Sequence, residues 1–312
     1  MMKNVMTRAL LACCLLVFSA FGFAAEKQAA NSVVWRVFQG KASEPVGYLV
    51  GTMHVGKARE TLPANVQTAW DDSDSLLLES LDIDSDNLTS ESFQELMLLA
   101  FNEPQTLAQN LGEKRAKQLY DFVHQHQPKL AMMLVPEAKT NPQFAMFSAA
   151  LALVPADYQV DEGVDKRLLL RAKAENRAVQ GLEENEAIKI LQRLSLPTTK
   201  KQIDVLLAQE KALRADMVAA IQAYEKQDVT ELNRLFDEEY ANRFLPNERA
   251  ELERVFSDGL MGERNRAWLP KIMAAWKKQR TLVAVGMGHL LGKHSLIKML
   301  QRKGYRVEAV LP

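Results

Sequence analysis

Two apolar strands, one near each end of this 312-residue chain, run into the same short pattern, Gly-x-x-His. The two copies read Gly51-Thr52-Met53-His54 and Gly286-Met287-Gly288-His289. Glycine permits a sharp turn, and a side chain that follows a parallel strand emerges at the carboxyl edge of the sheet, where ligand sites form. The whole chain contains only five histidines, so a shared setting for two of them is informative. We predict that folding brings His54 and His289 into one site, where they bind one metal ion or one substrate.

Composition places the chain among globular proteins that bury a core. Apolar residues make up 47% of it and charged residues 25%, which is ordinary for such proteins. The formal net charge is zero, whereas binding to a phosphate backbone requires a basic surface. We therefore expect no nucleic-acid partner. The length suits one large domain or two small ones.

The first 25 residues differ from the rest of the chain. Lys3 and Arg8 give them a positive start, residues 9–23 are almost entirely apolar, and small residues lead up to Ala25. This pattern is typical of a secretory signal peptide, and the apolar run is slightly short for a membrane span of about 20 residues. We predict cleavage near Ala24 or Ala25, with no stable membrane span afterwards. An uncleaved membrane anchor is the alternative.

Cysteine usage agrees with export. Cys13 and Cys14 are the chain's only cysteines, and both lie in the segment that cleavage would remove. The mature chain would then have no disulfide, no thiolate ligand and no cysteine nucleophile. We expect a periplasmic or secreted protein, with a lipoprotein cleaved before Cys13 as a second alternative.

Hydrophobic patterning predicts an α/β (α+β) fold in a single domain over residues 26–312. Strand-like runs cluster in three regions, at about 31–82, 177–184 and 280–312. Helical periodicity fills the two long stretches between them, at about 85–176 and 186–278. We therefore predict a central, mostly parallel sheet built from both ends of the chain, with long helical insertions between its strands.

Four predicted strand ends carry residue types that bind metal ions, namely His54, Glu79, Glu183 and His289. The carboxyl ends of parallel strands share one edge of the sheet, so these side chains are expected to meet there. Two neutral imidazoles with one or two carboxylates suit Zn, Mn, Co or Fe, and a bound ion turns water into a nucleophile near neutral pH. Simpler roles also exist: a loop histidine, a salt bridge or helix cap for Glu79, and a favourable place at a helix N-terminus for Glu183.

Arg264 is a further candidate, in the string Glu263-Arg264-Asn265-Arg266 on a predicted helix. Its guanidinium could clamp a carboxylate or stabilise a developing oxyanion, or it could belong to a solvated helix face. His124 and His126 are expected to be exposed. His294 is expected to begin the last helix, with a supporting position beside the site as the alternative. The sequence contains no His-Glu-x-x-His zinc motif, no Gly-x-Ser-x-Gly elbow and no P-loop.

Taken in order, the short motifs of this chain resemble those of the TraB/GumN family, which includes the TIKI metalloproteases. The matching strings span nearly the whole predicted mature chain: Gly51-Thr52-Met53-His54, Leu76-Leu77-Leu78-Glu79, Gly163-Val164-Asp165, Gly181-Leu182-Glu183, Glu263-Arg264-Asn265 and Val285-Gly286-Met287-Gly288-His289. The resemblance implies an α/β core with paired Gly-x-x-His turns. For the TIKI branch it implies metal-dependent peptide cleavage with Mn or Co. His54, Glu79 and His289 would then take the metal-site roles and Arg264 a supporting one.

These observations together predict a metal-dependent hydrolase, most simply a peptidase, with a divalent ion (Mn, Co or Zn) as cofactor. The catalytic set would be His54, Glu79, Arg264 and His289, and Glu183 would join His54, Glu79 and His289 as a metal ligand. The expected partner is a peptide or a small-molecule substrate, and the sequence does not specify an oligomeric state. Two alternatives use the same residues: a non-catalytic periplasmic binder of metal, haem or a signalling peptide, and a metal-free histidine esterase.

Overall fold

The computed structural model describes residues 31–81, 90–237 and 246–312. Six strands form the main sheet and two short strands pair separately. The strands are β1 Val34–Gln39, β2 Gly47–Thr52, β3 Gly56–Lys57, β4 Ser75–Ser80, β5 Tyr158–Gln159, β6 Ala178–Glu183, β7 Thr281–Gly286 and β8 Tyr305–Ala309.

The main sheet has the strand order β6-β4-β7-β2-β1-β8. The pairs β6–β4, β4–β7 and β7–β2 are parallel. The pairs β2–β1 and β1–β8 are antiparallel. Strands from both ends of the chain lie side by side, which confirms the prediction of an α/β fold with a mostly parallel central sheet.

Strands β2 and β7 lie in the middle of the sheet, and all their residues are buried. Their sequences are almost continuously apolar, as expected for parallel strands covered on both faces. The two strands pair in register, with Thr52 opposite Gly286. The two Gly-x-x-His turns therefore leave the sheet at the same edge, offset by one residue in the register.

Helices fill the long insertions, as the periodicity predicted. Pro142 and Pro197 lie in the first turn of a helix, where proline's missing N–H costs nothing. The described α-helices are Ala64–Asp71, Ser90–Phe101, Leu107–Leu111, Glu113–His126, Pro128–Ala131, Pro142–Ala150, Val164–Ala174, Glu186–Leu191, Leu196–Ala208, Glu210–Glu225, Val229–Asp237, Pro246–Leu252, Arg264–Trp276 and Leu296–Arg302.

One helical segment was not predicted from the pattern. Glu253–Glu263 is a π-helix of 11 residues that continues directly into the helix Arg264–Trp276. Segments of this wider winding are rare, short and frequently found at functional sites. Here the segment ends at the residue before Arg264.

The predicted signal peptide, with Cys13 and Cys14, lies outside the described residues. Within 31–81, 90–237 and 246–312, no helix is both long enough and apolar enough to cross a membrane.

Candidate functional site

The predicted strand-end residues meet in one buried cluster at the carboxyl edge of the sheet. Glu79 Oε1 lies 3.6 Å from His289 Nε2, and Arg264 lies within hydrogen-bonding distance of both residues. The side chains of His54, Glu79, Arg264 and His289 are at most 9% exposed. Residues distant in the sequence therefore form one site, because β2, β4 and β7 are neighbours in the sheet.

The first Gly-x-x-His turn is fixed by chain segments from the helical insertions. The Val164 N–H donates to the Met53 carbonyl over 3.0 Å, and the Tyr224 hydroxyl donates to the Gly51 carbonyl over 2.8 Å. A Cβ on Gly163 would lie 2.7 Å from the carbonyl carbon of His54. Only glycine lets the chain pass so close to His54 at this point.

His54 is oriented by Asp165, a residue in the first turn of the helix Val164–Ala174. Its Nδ1 lies 3.0 Å from Asp165 Oδ2, and both side chains are buried. Because a carboxylate only accepts hydrogen bonds, Nδ1 carries the proton in neutral His54. The lone pair of neutral His54 is then on Nε2.

His289 is oriented in the same way by Asn265. The Asn265 amide nitrogen donates to the carbonyls of His289 and His294, over 3.0 and 2.8 Å. The Asn265 oxygen therefore faces His289 Nδ1, at 2.6 Å, and accepts its proton. His289 thus also carries its proton on Nδ1 and keeps its lone pair on Nε2.

Burial keeps His289 uncharged. Desolvation lowers the pKa of His289 to about 3, against the attraction of Glu79 and with repulsion from Arg264 and His54. The Trp268 ring packs against the imidazole with centroids 4.3 Å apart. At neutral pH His289 is therefore a neutral donor of an electron pair, the form in which histidine binds metal ions.

Glu79 is held as a carboxylate. Burial raises the pKa of Glu79, but His289, Arg264 and His54, together with the Gly286 N–H, outweigh burial and bring the pKa to about 2. Since His289 is neutral at neutral pH, we attribute most of this stabilisation to Arg264, whose Nη2 lies 2.9 Å from Glu79 Oε2. A carboxylate with so low a pKa is a weak base at pH 7 and serves better as a fixed charge.

Arg264 and Glu183 form the other half of the cluster. Arg264 Nε donates to the Glu183 oxygens over 2.8 and 2.9 Å, and Nη2 lies 2.7 Å from Glu183 Oε1. The Trp268 indole N–H donates to Glu183 Oε2 over 2.9 Å, and the Arg264 guanidinium lies 4.6 Å from the Trp268 ring centre. Burial raises the pKa of Glu183 despite the attraction of Arg264. Arg264 is therefore a buried clamp on two carboxylates, Glu79 and Glu183.

The space between the two imidazoles is bordered by Gly286. A Cβ on Gly286 would lie 3.0 Å from Glu79 Oε1, 3.2 Å from His54 Nε2 and 3.9 Å from His289 Cδ2. These three side chains therefore face one small volume. A larger residue than glycine at this strand end would intrude on it.

The donor set matches a divalent ion in its chemistry. His289 is neutral and presents an Nε2 lone pair, as His54 does in its neutral form, and a carboxylate lies beside them. Each imidazole donates its other N–H to Asp165 or Asn265, as metal-bound histidines do. In the present arrangement, however, Arg264 contacts both Glu79 and His289. Among the described residues no three His, Asp or Glu side chains surround a point where an ion would lie. The residue types therefore suit a metal ion, but Arg264 is hydrogen-bonded to two of the candidate ligands, Glu79 and His289.

Three side chains of the cluster received no functional role in the sequence analysis: Asp165, Asn265 and Trp268. Asp165 and Asn265 each stand in a string that carries the family resemblance, and that position was the available signal. What the strings could not show is which histidine each residue would reach, because that depends on how the insertions fold back onto the sheet.

The other histidines lie outside the cluster. His124 stacks on Tyr120 at the surface, and His126 lies 3.1 Å from Glu210. His294 pairs with Asp258 over 2.8 Å. Of these three, His294 contacts the cluster, because its backbone carbonyl accepts a hydrogen bond from the Asn265 side-chain amide.

A separate cleft of about 510 Å³ lies at the opposite edge of the sheet. Its lining includes Val46, Asp74 and Arg280, which directly precede β2, β4 and β7. Since catalytic and ligand sites of parallel sheets form at the carboxyl ends of the strands, we place the candidate site at the buried cluster instead.

Comparison with known proteins identifies similar sequences. The sequence model of the TraB/PrgY/gumN family matches residues 33–309. Metalloprotease TIKI2 of Xenopus tropicalis is 25% identical over 335 residues, which cover 92% of this chain and 61% of that protein. This chain thus spans less than two thirds of the length of the relative. No solved structure matches significantly.

Proposed function

The chain belongs to the TraB/PrgY/gumN family, and on that premise we propose that it is a metal-dependent hydrolase that cleaves peptides. The observation that carries the proposal is the convergence of His54, Glu79 and His289 on the space beside Gly286. Its relative named as a metalloprotease supports peptides as the substrate class.

In this proposal His54 and His289 would hold the ion through Nε2, and Glu79 would supply a carboxylate ligand. When bound, a divalent ion such as Mn, Co or Zn lowers the pKa of water toward neutrality and polarises a carbonyl group. Asp165 and Asn265 keep the two imidazoles in the tautomer that binding requires. Arg264 offsets the negative charge that develops on the carbonyl oxygen during attack.

A non-catalytic binder is the second candidate, and the burial of the cluster favours it. The four proposed catalytic side chains are at most 9% exposed, so a peptide reaches them only after some part of the covering chain moves. A small ligand or an ion needs a smaller opening.

One experiment separates these functions. Purified protein is analysed for bound metal and then incubated with a peptide library, with and without a chelator, alongside His54→Ala, His289→Ala and the exposed-site control His124→Ala. The hydrolase predicts cleavage that the chelator abolishes, that both cluster variants lose and that the control retains. Stoichiometric ligand binding without turnover would favour the binder, and chelator-insensitive cleavage would favour the metal-free esterase.

We also propose that the protein acts in the periplasm or outside the cell after removal of residues 1–25. The composition of that segment supports this location. Intact-mass analysis of protein recovered from a bacterial periplasmic extract tests it, with an N-terminus near Glu26 as the expected result. Full-length protein retained in the membrane would indicate an anchor.

A further inference from the structure

We infer that the Arg264 guanidinium and a divalent ion are alternative occupants of one cation position in the buried cluster, so that Arg264 controls metal loading. The inference rests on the proposed function for the assignment of His289 and Glu79 as ligands. It adds a competing group that belongs to the chain itself.

The hydrogen bond between Arg264 and His289 makes the two occupants mutually exclusive. Arg264 Nη1 lies 3.1 Å from His289 Nε2, and a guanidinium can only donate. The other imidazole nitrogen gives its proton to Asn265 over 2.6 Å. Nε2 has a single in-plane lone pair, so it cannot accept from Arg264 and bind a metal ion at the same time.

The contact with Glu79 leads to the same conclusion. Glu79 Oε1 accepts the Gly286 N–H, and Oε2 accepts from Arg264 Nη2 over 2.9 Å. A divalent ion on this carboxylate would stand beside the Arg264 charge in a site with little solvent to screen it. Two cations that share one buried carboxylate repel each other strongly, so binding of the ion favours withdrawal of this edge of the guanidinium.

Glu183 and Trp268 provide a place where Arg264 can remain. Its Nε lies 2.8 and 2.9 Å from the Glu183 oxygens, and the ring of Trp268 lies beneath the guanidinium. The Nη1 contact with His289 can therefore break while the Nε contacts persist. This geometry assigns Glu183 as the anchor of Arg264 and leaves His54, His289 and Glu79 as the ligands.

The test measures metal binding without substrate. Chelator-stripped wild type, Arg264→Met and Arg193→Met are titrated with Co²⁺ by calorimetry and by visible absorption. Arg193 is a matched control, because it pairs with Glu263, the neighbour of Arg264, on the surface. We expect Arg264→Met to bind Co²⁺ at least roughly tenfold more tightly than wild type, and Arg193→Met to bind as wild type does.

Removal of Arg264 leaves two buried carboxylates without their cation, so folding is checked by circular dichroism. If Arg264→Met is unfolded, the double variant Arg264→Met/Glu183→Gln, which also removes one of the two buried negative charges, is used in its place. In wild-type protein, Zn²⁺ should shift the ¹⁵N signal of His289 Nε2 and the Arg264 side-chain signals together.

Equal or weaker Co²⁺ binding by the folded variant would overturn the inference, as would the absence of Co²⁺ binding by either protein. Zn²⁺ binding that leaves the Arg264 signals unchanged would do the same. Tighter binding without any peptide cleavage would uphold the inference and contradict the hydrolase, so the two failures are distinguishable.

Discussion

Asp165 Oδ2 and His54 Nδ1 lie 3.0 Å apart, although 111 positions separate the two residues in the sequence. The histidine follows the central strand β2, and the aspartate opens a helix of the first insertion. An insertion between strands thus supplies the group that sets the tautomer of a sheet-edge histidine. The helical insertions are therefore part of the candidate site and do more than surround the sheet.

Replacement of Asp165 by Asn tests this role. The amide keeps the shape of the side chain but has no charge and can donate as well as accept, so it no longer enforces a proton on His54 Nδ1. We expect Asp165→Asn to lower Co²⁺ affinity and peptide cleavage by roughly 10–100-fold with little change in fold. The exposed residue Asp157, changed to Asn, is the control. Wild-type affinity and activity in Asp165→Asn would show that Asp165 does not orient His54.

Asn265 is expected to matter for stability as well as for the site. Its side chain is fully buried and bonds His289 Nδ1 and two backbone carbonyls. Asn265→Ala leaves these groups without a partner, at a cost of roughly 1–3 kcal/mol for each buried group that water does not reach. Urea unfolding should therefore show a clearly lower free energy of unfolding for Asn265→Ala and almost no change for the exposed control Asn102→Ala. Equal unfolding midpoints would contradict the role.

Much of the sheet could be predicted from local pattern. Apart from Thr52 and Thr281, the residues of β2 and β7 are apolar or glycine, and Gly51 and Gly286 mark the turns near the ends of the two strands. The mostly parallel pairing was also predictable, since parallel neighbours need long connections and the insertions supply them. The positions of His54 and His289 at one edge were predictable for the same reason.

The charge arrangement within the cluster could not be predicted in this way. Glu183 is a predicted metal ligand, and nothing in the sequence around it indicates that it lies against Arg264 and Trp268. Their contact depends on how the π-helix Glu253–Glu263 sets the start of the following helix. A helical period of 3.6 residues cannot reveal a segment with wider winding.

Gly286 offers a test of the shared space. Its φ of −51° suits any residue, so Gly286→Ala is not strained in the backbone. The added methyl group would, however, lie 3.0 Å from Glu79 Oε1 and 3.2 Å from His54 Nε2. We expect it to displace these groups by a few tenths of an ångström and to lower metal affinity and cleavage roughly tenfold or more.

The matched control for Gly286→Ala is Gly181→Ala, in the neighbouring part of the sheet. Its methyl group would meet its nearest atom at 3.3 Å, and that atom is a backbone oxygen outside the ligand set. Calorimetric titration with Co²⁺ and the peptide assay compare the two variants. Equal effects of both substitutions would argue against a ligand space beside Gly286.

The pH dependence of stability should report the buried state of His289. Burial lowers its pKa from 6.5 to about 3 in the folded protein. Between these values the unfolded chain binds a proton that the folded chain does not, so the free energy of unfolding falls as the pH falls from about 6.5 toward about 3. Above about pH 6.5 neither state binds this proton, so the free energy of unfolding has no such loss from His289. Glu79, with a pKa lowered from 4.5 to about 2, adds a loss of the same sign only below about pH 4.5.

Measurements between about pH 7.5 and 5 therefore isolate the histidine from Glu79. The free energy of unfolding, measured with urea after chelator treatment, should fall more over this range for wild type than for His289→Gln, because glutamine takes up no proton. The control is His124→Gln, at a surface position outside the cluster, and it is expected to leave the wild-type slope in place. If His289→Gln lost as much stability on acidification as wild type, His289 would already be protonated or accessible in the folded protein. The buried, uncharged state assigned to His289 would then be wrong.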